Sequence, residues 1–269
     1  MFRNSRMTAR VLLHLVVCAA LLTDSLAAAP VGEQPSAAIL VYHRFGPSAA
    51  STTVSDAVLD AQLNWLAAHV KIGTLHAVIK GLRSPDATAE RPCVAITVDD
   101  GHRSVYTDLF PRIRRYGFPV TLFIYPSAIS NASYALTWQQ VEDMVSSGLV
   151  DVQSHTYWHP NFHREKAHRT PADYERFVAV QLSRSKQVIE SRTGRPVDML
   201  AWPFGIVDDD LEADARHAGY AFGFTLGNRT ALANNDPLAL PRLWISDSDR
   251  TKSFAAKIGA ACPVHGEEK

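Results

Sequence analysis

Positions 94–101 read Val94-Ala95-Ile96-Thr97-Val98-Asp99-Asp100-Gly101, an uncharged run that leads into two carboxylates and a glycine. An apolar run of this length is typical of a strand covered on both faces. Neighbouring strand side chains point to opposite faces, but Gly101 permits a turn that brings both carboxylates to one site. Adjacent carboxylates repel unless a cation offsets them, so the stretch indicates a metal ligand beside a general base. An ordinary Asp-Gly turn or helix cap fits these residues equally well.

Six further β-rich runs predict strands along the chain. They are Ala38 to Tyr42, Val120 to Ile124, Leu149 to Ser154, Met199 to Trp202, Ala221 to Thr225 and Leu243 to Ile245. Between them, a capping box at Thr137 predicts one helix, and a second, longer helix is predicted from Thr170 to Gly194. This alternation predicts a parallel sheet, and a closed or nearly closed β/α barrel is favoured because it leaves no edge exposed. Catalytic residues of such barrels follow the strand ends.

The composition limits the classes of protein to which this chain can belong. The chain has 269 residues, 46% of them hydrophobic and 20% charged, which predicts one globular domain and argues against disorder. Lysine plus arginine equals aspartate plus glutamate at 27 each, so no bulk charge favours binding to nucleic acid or to an acidic membrane surface.

The first residues resemble a secretory signal peptide. Arginines at positions 3, 6 and 10 precede an apolar run from Val11 to about Leu22, and small residues follow as far as Ala29. The apolar run falls short of the ~20 residues that a membrane-spanning helix needs. We therefore expect a signal peptide at 1–29, a single mature domain at 30–269 without a transmembrane anchor, and a periplasmic or extracellular location.

Two cysteines, Cys93 and Cys262, remain after cleavage of such a peptide. Cysteines of an exported protein often pair, but these two are far apart in sequence, and the sequence alone does not bring them together. Their pairing is left open.

A second strand end carries histidines. The predicted strand to Ser154 continues as His155-Thr156-Tyr157-Trp158-His159-Pro160. A helical turn ending at Pro160 would put both imidazoles on one side, where two histidines can bind one ion. Taken alone, such a pair is more often structural than metal-binding. His163 and His168 have no fixed relation to a strand end and are interpreted as solvated loop residues.

A third strand end is Trp202-Pro203-Phe204-Gly205. Aromatic faces bury the C–H surface of a sugar ring or an acetyl methyl group without requiring charge, so this segment suits a substrate wall. An aromatic pair that merely caps the barrel core is an equally good interpretation.

Together these segments resemble carbohydrate esterase family 4, the polysaccharide deacetylases. Residues 97–101 match the family's T-F-D-D-G with Val98 for Phe, residues 154–160 match its H-[ST]-x-x-H-P block, and residues 202–205 are similar to its P-[YF]-G block. The segments 39–44 and 240–245 look like the branch that deacetylates exported poly-N-acetylglucosamine biofilm polymers. The resemblance covers roughly residues 38–258 and implies a distorted β/α barrel.

Carried over by position, the resemblance implies that Asp100, His155 and His159 bind one divalent metal ion and that Asp99 is the catalytic base. Zinc is expected, although nickel, cobalt or iron could use the same ligands. Trp202, Pro203, Phe204, Gly205 and Tyr157 are expected to bind substrate. The family's late Leu-x-x-His block is not evident, and His265 lacks its context. His43, which closes the first strand, is our candidate for the general acid, with a structural histidine as the alternative.

The implied activity is removal of N-acetyl groups from an exported polysaccharide. Deacetylation of peptidoglycan or chitooligosaccharides and hydrolysis of O-acetyl esters share this chemistry and stay open. A non-catalytic carbohydrate-binding barrel would need no base beside a metal ion, which argues against it. A metal-dependent phosphoesterase would usually show more metal ligands or a basic cluster.

Overall fold

The computed structural model describes residue 1, residues 35–84 and residues 91–262. Apart from residue 1, the predicted signal peptide lies outside the described residues, as does His265. All the described helices and strands belong to one compact unit, Gln34–Lys269. None of the described helices is both long enough and apolar enough to cross a membrane.

A parallel sheet forms the centre of the molecule. The strands in chain order are β1 (Ser36–Tyr42), β2 (Arg44–Gly46), β3 (Thr53–Ser55), β4 (Val94–Val98), β5 (Val120–Ile124), β6 (Val150–Ser154), β7 (Met199–Ala201), β8 (Phe222–Phe224), β9 (Ala231–Leu232) and β10 (Leu243–Trp244). Across the sheet they lie in the order β10, β1, β4, β5, β6, β7, β8, and each neighbouring pair is parallel. The runs predicted at 94–98 and 120–124 are strands with those same bounds.

The two edges of this sheet are bridged by one segment. Leu240 pairs with Phe224 at the end of β8, and three residues later Leu243 pairs with Leu40 of β1. The sheet therefore curls into a nearly closed barrel, which confirms the predicted fold class. β9 pairs antiparallel with the start of β1, while β2 and β3 form a separate parallel pair.

Helices surround the curled sheet. They are α1 (Asp56–His69), α2 (Leu75–Leu82), α3 (Phe110–Tyr116), α4 (Trp138–Ser146), α5 (Phe162–Ala167), α6 (Pro171–Thr193), α7 (Asp209–His217) and α8 (Thr251–Gly259). A π-helical turn, Val105–Leu109, precedes α3, and a short 3-10 turn occupies Pro203–Gly205. The Thr137 capping box forms at the start of α4. The longer predicted helix is α6, which is capped by Thr170 and ends at Gly194 in the left-handed conformation.

Apolar side chains fill both faces of the sheet. Ile39, Ala95, Phe123 and Phe224 face the barrel interior, where they pack against the buried face of α2. The residues that alternate with them, such as Leu40, Ile96 and Leu122, belong to the layer between the sheet and the outer helices. Ala95, Thr97 and Asp99 share one strand face by this alternation, so Asp99 stands directly above the interior core.

Cys93 and Cys262 form a disulfide, with their Cα atoms 5.7 Å apart. Cys93 immediately precedes β4, and Cys262 follows α8. The bond therefore ties the last described residue to the central sheet and answers the question that the sequence left open.

Candidate metal centre

Two consecutive left-handed residues turn the chain after β4. Asp100 has φ 73° and Gly101 has φ 71°. Because of this turn, the carboxylates of Asp99 and Asp100 do not diverge as they would on a strand: they lie 3.9 and 3.7 Å from the same atom, Nε2 of His155. A Cβ at position 101 would approach the side chains of Ile124 and Ile129 to 3.0 Å, so both conformation and space favour glycine.

The second strand end supplies both imidazoles, but without a helical turn. Thr156 and His159 are both left-handed, with φ of 63° and 62°, and the chain from His155 to Pro160 is a loop. The helical turn that would have aligned the histidines does not form. Hydroxyl groups stabilise the loop instead: Ser154 Oγ accepts from the Thr156 amide, and Thr156 Oγ1 accepts from the His159 amide. The rings of His155 and His159 still meet, with centroids 4.5 Å apart.

The donor atoms of Asp100, His155 and His159 fit a single metal ion. One ligand atom from each residue lies within 4.8 Å of the others. Asp100 Oδ1 is 3.7 Å from His155 Nε2 and 3.8 Å from His159 Nε2. Metal–ligand bonds of ~2.1 Å in a tetrahedral site place neighbouring ligand atoms about 3.4 Å apart, which is close to these distances.

Hydrogen bonding and burial prepare the histidines for this role. His155 Nδ1 lies 2.7 Å from the Ala201 carbonyl oxygen, so Nδ1 carries the proton and Nε2 presents its lone pair to the site. Burial lowers the pKa of His155 to about 3 and also lowers the pKa of His159. Both imidazoles are therefore neutral at physiological pH, as metal binding requires. Burial raises the pKa of Asp100, a cost that a bound cation would offset.

Asp99 is held by a buried arginine that our sequence analysis did not identify as a functional residue. The Arg242 guanidinium donates to both carboxylate oxygens, at 2.7 and 2.6 Å, and also to Thr97 Oγ1 at 3.1 Å. Burial acts to raise the pKa of Asp99, but Arg242 and His155 outweigh it and lower the pKa to about 2. The signal in the sequence was a lone charge in the apolar run Leu240 to Ile245.

His43 lies at the same cavity. This cavity measures about 210 Å³, and its walls include His43, Asp99, the three candidate ligands, Trp202, Phe204 and Trp244. The His43 ring packs on Trp244 with centroids 4.4 Å apart, and its Nδ1 is buried without a hydrogen-bond partner in the described part of the chain. A hydrogen bond to a neighbouring loop, our structural alternative, is therefore not made through Nδ1.

The aromatic segment after β7 divides into two environments. Trp202 is fully buried, and its indole donates to the Leu238 carbonyl oxygen at 2.7 Å, so it borders the cavity mainly as a structural wall. Pro203 is also buried, whereas Phe204 is 56% exposed and lies 4.7 Å from the His159 ring. Gly205 has φ 70°, and a Cβ there would come within 2.9 Å of the Leu226 amide nitrogen.

Three residues discussed in the sequence analysis lie away from the candidate metal ligands. The Tyr157 ring packs under the Arg184 guanidinium, 4.2 Å away, and does not line the cavity. His163 is exposed on α5 rather than in a loop, and His168 caps the end of that helix. The interpretation of His163 as a loop residue is wrong because Asn161 initiates a short helix there, whereas His168 lies exposed in the turn after that helix, as expected.

Comparisons with known proteins agree with this geometry. Residues 86–223, just over half of the chain, match the family described as polysaccharide deacetylase. The chain is 27% identical to a poly-β-1,6-N-acetyl-D-glucosamine N-deacetylase of Staphylococcus epidermidis, over 72% of this chain and 68% of the relative. A protein of the same name from Staphylococcus aureus strain N315 is 22% identical, with the same two coverages.

Solved structures share the fold. The Streptococcus pyogenes deacetylase PplD in complex with acetate superposes with a TM-score of 0.75 at 20% identity, over 84% of this chain and 99% of that one. IcaB from Ammonifex degensii superposes with a TM-score of 0.70 at 25% identity, over 83% of this chain and 97% of that one. With a family match over more than half its length and the fold of solved deacetylases, the chain belongs to the polysaccharide deacetylase family of enzymes.

Proposed function

We propose that this protein is an exported, metal-dependent N-deacetylase acting on a poly-N-acetylglucosamine-type polysaccharide. The observation that carries the proposal is the convergence of Asp100, His155 and His159 within 4.8 Å, with the Asp99 carboxylate 3.9 Å from one of those ligands. A binding module has no need of a base beside a cation. The names of the relatives from two staphylococcal species support the choice of polymer.

Asp100, His155 and His159 would hold one divalent ion, and zinc suits a carboxylate with two imidazoles. When bound, such an ion supplies Lewis acidity toward water and toward the acetyl carbonyl of the substrate. Asp99 takes the proton of the attacking water. Its low pKa keeps the carboxylate ionised at physiological pH, and the bidentate contact with Arg242 fixes its orientation.

The proton taken by Asp99 must reach the nitrogen before the C–N bond breaks, because an amide anion is too basic to leave. Burial lowers the pKa of His43, so the resting imidazole is neutral and receives a proton only during turnover. His43 then donates to the amine, or Asp99 returns the proton directly. Acetate and a free amino sugar are the products. The exposed Phe204 ring beside His159 would contact the acetyl group or the sugar.

Export of this enzyme is supported by the sequence of residues 1–29 and by the Cys93–Cys262 disulfide, since disulfides persist in oxidising compartments. We propose cleavage near Ala27 or Ala29, which leaves a catalytic domain from residue 30 onward. N-terminal sequencing of the secreted protein tests this assignment.

Acetate release separates the candidate reactions. Tag-free protein, with and without a chelator, would be assayed on β-1,6-linked and β-1,4-linked N-acetylglucosamine oligomers, peptidoglycan and O-acetylated xylan. We expect fastest release from the β-1,6-linked oligomer and loss of release with chelator, and elemental analysis would identify the metal. Faster release from any other substrate would contradict the proposed polymer.

Variants test the residue roles in the same assay. Asp99→Asn should lower kcat at least ~10²-fold, the usual contribution of a general base, while metal content stays near one per chain. His155→Ala should lose both metal and turnover. Asp247→Asn, which alters a half-buried carboxylate that is bonded to Ser55 and does not line the metal cavity, is the control and should change neither. Near-wild-type turnover by metal-loaded Asp99→Asn would show that Asp99 is not the base.

A further inference from the structure

A second depression adjoins the metal cavity, and we call it the side groove. It measures about 480 Å³ and is lined by Trp158 and Phe204 together with Asn161, Arg164, Glu165 and His168 of the α5 region. His159 and Phe204 line both the side groove and the metal cavity. The two depressions are therefore adjacent, on either side of these residues, so an extended ligand can reach from one into the other.

The walls of the side groove are exposed aromatic rings. Trp158 is 41% exposed and Phe204 56% exposed, although large apolar side chains are usually covered. Phe204 is also held in the left-handed conformation, with φ 58°, which is unfavourable for a residue that carries a Cβ. Strained backbone of this kind persists where the surrounding structure enforces it, and it clusters at ligand sites. Exposed aromatic faces suit the C–H faces of sugar rings.

The side groove is preformed rather than loose. The Trp158 amide donates to Oε1 of the buried Gln181 on α6 at 3.1 Å, and the Trp158 ring packs on Phe177. Asn161 accepts from the Arg164 amide at the start of α5, and Phe162 anchors that helix in the core. Trp158 and α5 are thus held by contacts outside the groove, which lowers the entropic cost of binding a ligand there.

The polar groups of the side groove favour a neutral sugar. The Arg164 guanidinium has no hydrogen-bond or ion-pair partner within residues 35–84 and 91–262, so its donors are free for hydroxyl or acetamido oxygens. The Glu165 carboxylate is already paired with Arg169. Among its lining residues, the groove therefore offers one unpaired guanidinium and no unpaired carboxylate. A positively charged amino sugar would find no negative partner there, whereas a neutral sugar can accept hydrogen bonds from Arg164.

We propose that the side groove binds an N-acetylated sugar unit next to the one being deacetylated, on the same polymer chain. This inference rests on the proposed N-deacetylase function and extends it from one sugar to two. Trp158 stacks on the ring of the neighbouring unit, and Arg164 donates to its acetamido or hydroxyl oxygens. Changes to the side groove should therefore affect the turnover only of substrates that are long enough to reach it.

The test compares a long and a short substrate. Holoenzyme would be assayed on a β-1,6-linked N-acetylglucosamine pentamer and on a small aryl acetate, which fills the metal cavity alone. For Trp158→Ala we expect kcat/KM to fall at least 10-fold on the pentamer and less than 2-fold on the aryl acetate. Trp158→Phe should retain most pentamer activity, and Arg164→Gln should lower it about 3-fold or more. Val180→Ala, an exposed apolar residue of α6 that lines neither depression, is the control.

Each outcome is decisive. Wild-type holoenzyme that releases no acetate from the pentamer would overturn the proposed function, and the neighbouring-unit site with it. If the wild type is active, an equal fall in kcat/KM on both substrates in Trp158→Ala would overturn the neighbouring-unit site but not the proposed function. Unchanged kcat/KM of that variant on the pentamer would do the same. Melting curves of both Trp158 variants distinguish a lost contact from a lost fold, because Trp158→Phe keeps the packing on Phe177.

Discussion

Arg242 and Asp99 form an ion pair whose side chains are 0% and 2% exposed. Removing one partner of such a pair leaves the other charge buried and uncompensated, which typically costs about 3–5 kcal/mol. We therefore expect Arg242→Met to lower the free energy of unfolding by ~3–5 kcal/mol, measured by denaturant unfolding, and to lower turnover because Asp99 is no longer oriented. Arg242→Lys keeps the charge but not the bidentate contact. Its stability and turnover should therefore lie between those of wild type and those of Arg242→Met.

A surface ion pair provides the control for this variant. Arg250 pairs with Asp247 at 2.9 Å, but its side chain is 67% exposed, so Arg250→Met should cost no more than ~1 kcal/mol. The double variant Arg242→Met/Asp99→Asn removes both buried charges and should recover part of the lost stability. Equal costs for Arg242→Met and Arg250→Met would show that burial does not govern the energetics of the Arg242 pair.

The sequence identified the groups with distinctive local context and missed those that depend on long-range contact. Asp99, Asp100, His155 and His159 follow apolar strands, so their convergence at one end of a parallel sheet could be predicted. Arg242 reaches Asp99 across 143 positions of sequence. Periodicity carries no information about such a pairing, which only the curling of the sheet creates.

Among the elements, those with strong local signals were predicted best. β4 and β5 are buried on both faces and bounded by turn residues, and α6 carries a cap at each end. The pair β2 and β3 was missed because each strand, Arg44–Gly46 and Thr53–Ser55, has a single apolar side chain and therefore no β-rich run. The loop from His155 to Pro160 was mistaken for a helical turn because histidine spacing does not reveal left-handed residues.

α2, which covers the interior core, was also missed by our sequence analysis, and its exposed side carries a pH-sensitive contact. His76 Nε2 lies 3.0 Å from Asp198 Oδ1. The hydrogen bond to Asp198 raises the pKa of His76, and the same bond lowers the pKa of Asp198. The stabilisation from His76 is complete below its unfolded pKa of about 6.5 and is lost as pH rises through its higher folded pKa. The stabilisation from Asp198 is present above its unfolded pKa of about 3.9 and is lost as pH falls through its lower folded pKa.

We therefore expect His76→Gln to destabilise the protein most between about pH 4 and 6.5, and progressively less as pH rises above that range. The difference should stay below about 1 kcal/mol because both side chains are well exposed to solvent, at 48% and 36%. Denaturant midpoints of wild type and variant from pH 4 to 9 measure it. His163→Gln, which changes an exposed histidine of α5, is the control variant. A difference that grows with pH would contradict the assigned ion pair.

At the scale of the whole molecule, the barrel is closed by contacts between distant parts of the chain. Leu240 and Leu243 bridge the sheet edges, and the Cys93–Cys262 disulfide joins positions 169 residues apart. A cross-link over so long a loop restricts the unfolded chain strongly, and removing a native disulfide typically costs about 2–5 kcal/mol. The C-terminal helix α8 packs on α1 beside this bond, so it should loosen first when the bond is lost.

We expect reduction of wild-type protein, or the double variant Cys93→Ser/Cys262→Ser, to lower the free energy of unfolding by ~2–5 kcal/mol. Denaturant unfolding with and without reductant measures this loss, and thiol titration checks that reduction is complete. Because the double variant has no bond to break, its midpoint should not respond to reductant. Acetate release below the transition should persist in the variant, since neither cysteine lines the metal cavity. An unchanged midpoint in fully reduced wild-type protein would mean that the bond contributes nothing to stability, and that closure of the barrel rests on strand pairing and packing alone.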